Sequence, residues 1–104
     1  MYRATTPTLT YNFSGASPDD FADILITISQ SGKIVFTRHK NECQIDGDAV
    51  AVELSQEEAN MLLPGKASTQ VRAITPEGKV HASDIISFRV ERVLNDAELE
   101  VPDE

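Results

Sequence analysis

Three side chains in this sequence could do acid–base, nucleophilic or metal chemistry near neutral pH: His39, His81 and Cys43, its two histidines and single cysteine. A triad or a metal centre needs several such groups to converge. His39 stands in Arg38-His39-Lys40, where the flanking cations disfavour a protonated imidazole and no acid adjoins it in sequence to complete a triad. His81 lies among polar neighbours and reads the same way, as a solvated strand residue. Cys43 is set between Glu42 and Gln44. An adjacent acid keeps a thiol protonated, so Cys43 reads as a small apolar residue rather than a nucleophile. None of the short His/Cys spacings of a zinc motif occurs. Asp46-Gly47-Asp48 has the look of a calcium loop but lacks the further oxygen ligands and the distal glutamate, and so reads as a turn. Asp19, Asp20 and Asp23 form the other acidic cluster, in a stretch whose composition is that of a solvated loop. The sequence thus assigns no catalytic, cofactor-binding or metal-ligating residue, and the expectation is a protein that is not an enzyme and holds no cofactor.

The elements that would have to position any site are short strands. Leu9, Tyr11 and Phe13 alternate with polar residues, as do Ile24, Ile26 and Ile28, then Val50, Val52 and Leu54, then Ile86, Phe88 and Val90. A two-residue period puts one set of side chains on one sheet face, which marks half-buried strands. Strands are expected over residues 8–13, 23–30, 33–39, 41–46, 49–54, 66–74 and 80–93, the last broken around Ser83-Asp84. Ser31-Gly32 and Asp46-Gly47-Asp48 suit tight hairpins, and Pro76-Glu77-Gly78-Lys79 a further turn. Only Ser55-Gln56-Glu57-Glu58 departs from the rhythm. Its hydroxyl and the acid three positions on form a capping box, opening one or two helical turns that Pro64-Gly65 stops. The fold class is therefore all-β: an immunoglobulin-like β-sandwich of about seven antiparallel strands with one short helical turn, without the Cys…Trp…Cys core of antibody domains. Ile24, Ile26, Ile28, Val71, Ile86 and Phe88 are expected to share the core, with Thr69, Val71 and Ala73 the inward set of their strand.

A chain of 104 residues fits one self-sufficient domain. The sandwich is expected over residues 1–94, followed by an acidic, flexible tail over residues 95–104 that holds Asp96, Glu98, Glu100, Asp103 and Glu104. Nine bases against seventeen acids give a net charge of -8, and without those five tail acids the body is at -3. Neither figure offers the basic face that nucleic acid requires. One cysteine rules out a disulfide-stapled framework. No run approaches the roughly 18 apolar residues of a membrane-spanning helix, and the start has no apolar leader core, so synthesis in the cytoplasm and no membrane contact are expected. Six aromatics, most in the inward phase of strands with only Tyr2 free to be exposed, argue against a sugar-binding platform. The strands nearest the chain ends are expected to be sheet edges with few charges to blunt them, so protein partners or a second copy are expected there or at residues 2–7.

Three stretches carry a resemblance: residues 3–10 (Arg3-Ala4-Thr5-Thr6-Pro7-Thr8-Leu9-Thr10), residues 54–59 (Leu54-Ser55-Gln56-Glu57-Glu58-Ala59), and the segments from Gln70 to Ala73, Ala82 to Ile86 and Val90 to Asp96. Together they resemble a family of small uncharacterised proteins encoded in phages and prophages of Firmicutes, near genes for tail or baseplate functions. The resemblance spans nearly the whole chain and marks strands and turns rather than a site, so no functional residue is carried over. It implies a non-catalytic phage or prophage structural or interaction protein, associated with the virion after synthesis. The alternative left by the residues themselves is a cellular carbohydrate- or peptide-binding β-sandwich module.

Overall fold

Eight strands and one short helix follow in chain order: β1 (Thr8–Asn12), β2 (Asp23–Gln30), β3 (Lys33–His39), β4 (Gln44–Asp46), β5 (Ala49–Glu53), α1 (Gln56–Asn60), β6 (Gly65–Ile74), β7 (Val80–Ala82) and β8 (Ile86–Val90). The computed structural model describes residues 1–102. Two antiparallel sheets result. The smaller has the order β1-β5-β4; the larger runs β3-β2-β6, with β7 and β8 end to end along the far edge of β6, opposite residues 72–74 and 65–69. The sheets face each other across the apolar side of β2. Ile24, Ile26 and Ile28 are buried there, against Val50 and Val52 of β5, Leu54, and Val71 and Ala73 of β6. A second cluster of Ile28, Leu62, Ala67 and Val90 closes the end of the sandwich near α1.

Turn chemistry explains the hairpins. Ser31 and Gly32 both have positive φ, 54° and 77°, as a primed two-residue turn requires. The β4–β5 turn differs from the expected Asp-Gly centre: Asp46 pairs with Ala49, so Gly47 and Asp48 are central, and Gly47 takes the positive φ at the first position. The segment from 41 to 46, expected to be one strand, divides into a 3-10 turn (Lys40–Glu42) and β4. The capping box at α1 forms as read: Ser55 Oγ accepts from the Glu58 N–H at 3.1 Å, and the Glu58 carboxylate accepts from the Ser55 N–H at 3.1 Å.

One irregularity redirects a whole strand. Ile28 pairs with Phe36 but Ser29 pairs with Ile34, so Val35 is an extra residue in β3. A bulge shifts register by one, and a one-residue shift exchanges the two faces of a strand. Val35 and Phe36, though adjacent, therefore both pack on the core, and Arg38 lies opposite Ile26 on the inner face. Arg38 ends over the Phe36 ring, 5.4 Å from its centre, and its guanidinium pairs with Glu58 of α1.

The N-terminal arm belongs to the fold. Tyr2 pairs with Glu91 in a parallel bridge, and Arg3 donates to the carbonyls of Leu62 (2.7 Å) and Asn60 (3.0 Å) at the C-terminal end of α1. Tyr2 and Arg3, at the start of the 2–7 arm, are thus bonded within the chain, while Tyr2, Thr5 and Thr6 remain exposed. Beyond β8, Asp96 pairs with Arg3 at 3.1 Å, Asn60 donates to the Asp96 carbonyl, and the Gln56 side chain exchanges two hydrogen bonds, both 2.8 Å, with the backbone of Leu99. Asp103 and Glu104, two of the five tail acids, lie outside the described residues.

Two of the expected core residues depart from expectation. Phe88 is half-buried, and Ile86 is 56% exposed, although both are on the inward side of β8 opposite Ala67 and Thr69. The reason is sheet width: three strands cannot cover a sheet four positions wide, and the inner face of β7 and the Ile86 end of β8 are left bare. Replacing Ile26 with Ala should therefore cost roughly 2 to 5 kcal/mol by removing a buried side chain. Ile86→Ala should fall within about 0.5 kcal/mol of the parent, as substitutions at exposed positions do. Urea denaturation of both variants measures the difference; equal costs would contradict the placement of the uncovered strand.

Candidate functional site

The shortfall of the smaller sheet opens a recess of about 780 Å³ at one end of the sandwich. Its floor is the inner face of β6, β7 and β8, with Val71, Ala73, His81 and Ile86; its wall is β1 and the residues after it, with Tyr11 and Phe13. Phe13 and Phe21 meet at 5.9 Å between ring centres, and Phe21 meets the His81 ring edge-on at 6.2 Å. Phe21 is brought there by the 3-10 turn Pro18–Asp20, whose N-cap Ser17 and Asp20 form a second capping box over a buried Pro18. Asp19 and Asp20 thus build a turn and are not a ligand set.

At the base of the recess a chain of hydroxyls ties the sheets together. Thr69 Oγ1 donates to the Thr27 carbonyl at 3.0 Å, and it lies 2.8 Å from the Tyr11 hydroxyl. Thr69 has one proton and spends it on Thr27, so Tyr11 is the donor to Thr69. Burial raises the Tyr11 phenol above its ordinary value, aided by the nearby Cys43.

The rim of the recess includes an unpaired strand edge. Leu54 N–H donates to the Pro7 carbonyl and Phe13 N–H to the Asp48 carbonyl, which brackets the β1–β5 ladder. Hydrogen-bonded pairs alternate in an antiparallel ladder, so Leu9 and Tyr11 bond to β5 while the N–H and C=O groups of Thr8, Thr10 and Asn12 point away from it. Among the described residues no strand pairs with that edge.

The remaining candidates lie elsewhere. His39 does have an acid beside it: Asp23 Oδ2 is 2.8 Å from His39 Nδ1, and Asp23 also accepts from the backbone N–H of Lys40. The hydrogen bond from His39 lowers the Asp23 carboxyl pKa, against a smaller opposing effect of burial. This pair was invisible in sequence because a regular hairpin would set His39 opposite Ile24 on the inner face; the Val35 bulge moves it opposite Leu25, beside Asp23. Cys43 Sγ donates to the His39 carbonyl at 3.2 Å, and burial followed by the charge of Glu42 raises the thiol pKa, which leaves it protonated. Asp46-Gly47-Asp48 is the β4–β5 turn. His81 is in the recess, away from the other two. Among the described residues no three His, Cys, Asp or Glu side chains are grouped as a metal site would require.

No family model matches the chain, and neither does any curated protein. Among solved structures it is similar to CopC from Methylosinus trichosporium OB3b, with a TM-score of 0.58, 16% identity, and coverage of 90% of this chain and 85% of that one. At that identity the likeness concerns the fold: an all-β, immunoglobulin-like sandwich. Among the described residues no helix is long and apolar enough to cross a membrane.

Tyr11→Phe removes one neutral hydrogen bond and leaves Thr69 satisfied through Thr27, so a loss of about 1 kcal/mol is expected. Because the folded phenol is raised, its contribution is constant below the ordinary tyrosine pKa and is lost as pH rises through the folded value. The stability gap between parent and Tyr11→Phe should hold steady from pH 6 to 9, then narrow at still higher pH; denaturation series at several pH values read it, and a gap that widens in alkali would contradict the assignment.

Proposed function

We propose that this chain is a non-catalytic interaction module of a phage or prophage particle, a component of the tail or baseplate, made in the cytoplasm and carried in the assembled virion. The observation that supports it most is the recess itself. It pairs a bare apolar sheet face with a free strand edge, the combination by which sandwiches take on an additional strand from another protein. The nucleophilic and basic groups, by contrast, are dispersed: His81 is in the recess, whereas His39 and Cys43 stand on the far side of the larger sheet or on a connecting turn, and Cys43 stays protonated. The three stretches that resemble the phage and prophage family supply the particle assignment.

A second reading, a cellular carbohydrate- or peptide-binding module, draws on the aromatic lining of the recess by Tyr11, Phe13, Phe21 and His81. The peptide form of that reading fits better than the sugar form, since the rings are packed edge to edge and present no flat exposed platform.

Mass spectrometry of purified particles, induced from a strain that carries the gene, separates the two. Peptides of this chain at constant stoichiometry to the tail proteins are expected. Their absence from particles, together with a positive glycan array, would overturn the virion reading. His39→Gln and Cys43→Ser combined, both outside the recess, should leave incorporation into particles unchanged.

A further inference from the structure

We propose that the recess is filled by the C-terminal segment of a second copy of this chain, residues 97–101, added as a strand to the free edge of β1. The vacancy is one strand wide, because the larger sheet has four positions where the smaller has three. A lone extended segment fits such a gap. A second sandwich docked edge to edge through β1 about an axis normal to the sheets does not, since its β6 would have to occupy the place already held by β7 and β8.

The chain carries a segment with the required pattern. Ala97, Leu99 and Val101 alternate with Glu98 and Glu100, the two-residue period of a half-buried strand. Leu99 is 75% exposed and Val101 92% exposed, so both are without apolar cover where they lie. Paired with residues 9–13, the run sets its three apolar residues opposite Leu9, Tyr11 and Phe13, which pack inward. Laid there, the three apolar side chains face the bare floor at Ile86, His81 and Val71, while Glu98 and Glu100 face outward opposite Thr10 and Asn12. Those neighbours are neutral, so no like charge opposes the glutamates across the strand pair.

The donor is another copy because each chain's own segment is held at the α1 end, away from its recess. β8 carries the chain away from the recess, from Ile86 at its mouth to Val90 at the α1 end, and Arg3 and Asn60 hold Asp96 there. In the single chain the segment rests on α1 through the two Gln56–Leu99 hydrogen bonds, and docking exchanges these for a strand ladder.

Truncation after Asp96 gives the test its sign. It removes four acids (Glu98, Glu100, Asp103, Glu104) and takes the net charge from -8 to -4, so electrostatics alone would raise self-association. Strand exchange requires the opposite. Sedimentation velocity should show concentration-dependent association of the full chain, a monomeric truncated chain, and weakened association in the charge-neutral Leu99→Asn, Val101→Asn variant; Gln56→Ala, which frees the segment, should strengthen it. A synthetic peptide of residues 95–102 added to the truncated chain should shift the amide signals of Thr8, Thr10 and Asn12 and the Ile86 methyls. The inference is overturned if the truncated chain associates as strongly as the full chain or more so, if the peptide shifts map elsewhere, or if a scrambled peptide of the same composition binds equally well, which would make the recess a general strand acceptor. None of these outcomes depends on whether particles contain the protein.

Discussion

Burial of the isoleucine face of β2 is the constraint from which the rest of the geometry follows. Three β-branched side chains on one face of a central strand need a second sheet over them, and Val50, Val52 and Leu54 supply it from β5 and the residue after it. With β5 fixed over β2, its neighbours β1 and β4 fall over β6 and β3. Among the described residues nothing then remains to cover β7 and the Ile86 end of β8, whereas Val90 at the other end is closed by Leu62. The recess is a consequence of where the smaller sheet must sit to serve the core, and not a separate feature added to a finished sandwich.

The other end of the sandwich is closed with the same economy. α1 buries Ala59 and leads into Leu62, which joins the second apolar cluster, and both of its flanks are tied: Glu58 to Arg38, and the carbonyls of Asn60 and Leu62 to Arg3. A cation at the last turn of a helix also offsets the partial negative charge there. The two ends therefore differ in kind. One is packed, capped and held by buried or half-buried charges, while the other presents an apolar floor, aromatic walls and a strand edge. Binding is expected at the second, since edges that are neither charged, blocked by proline nor covered invite pairing.

Much of this was legible in the sequence, and the parts that were not share a cause. The boundaries of β2 and β3, the Ser55–Glu58 capping box and the inward set Thr69, Val71 and Ala73 follow from local alternation and turn chemistry, and they stand in the structure as read. The inward phase of Ile86 marks it as core; whether an inward residue is covered depends on the width of the opposite sheet, which no local pattern records. The Asp23–His39 pair and the Arg38–Glu58 bridge depend on the Val35 bulge, one residue of extra register that neither glycine nor proline announces. The engaged N-terminal arm depends on a parallel bridge between residues 89 positions apart, Tyr2 and Glu91. Local physics wrote the elements; the widths, registers and distant pairings decided what was left open.

The most direct measurement of the central claim is amide hydrogen exchange along β1, read residue by residue. In dilute solution the account predicts alternation: Leu9 and Tyr11, bonded to β5, exchange slowly, whereas Thr8, Thr10 and Asn12, facing the open edge, exchange fast. In the assembled state Thr10 and Asn12 slow to match the first set. Uniform protection of all five amides in the dilute monomer, or fast exchange at Thr10 and Asn12 that persists in the assembly, would contradict an open strand edge that is filled on association.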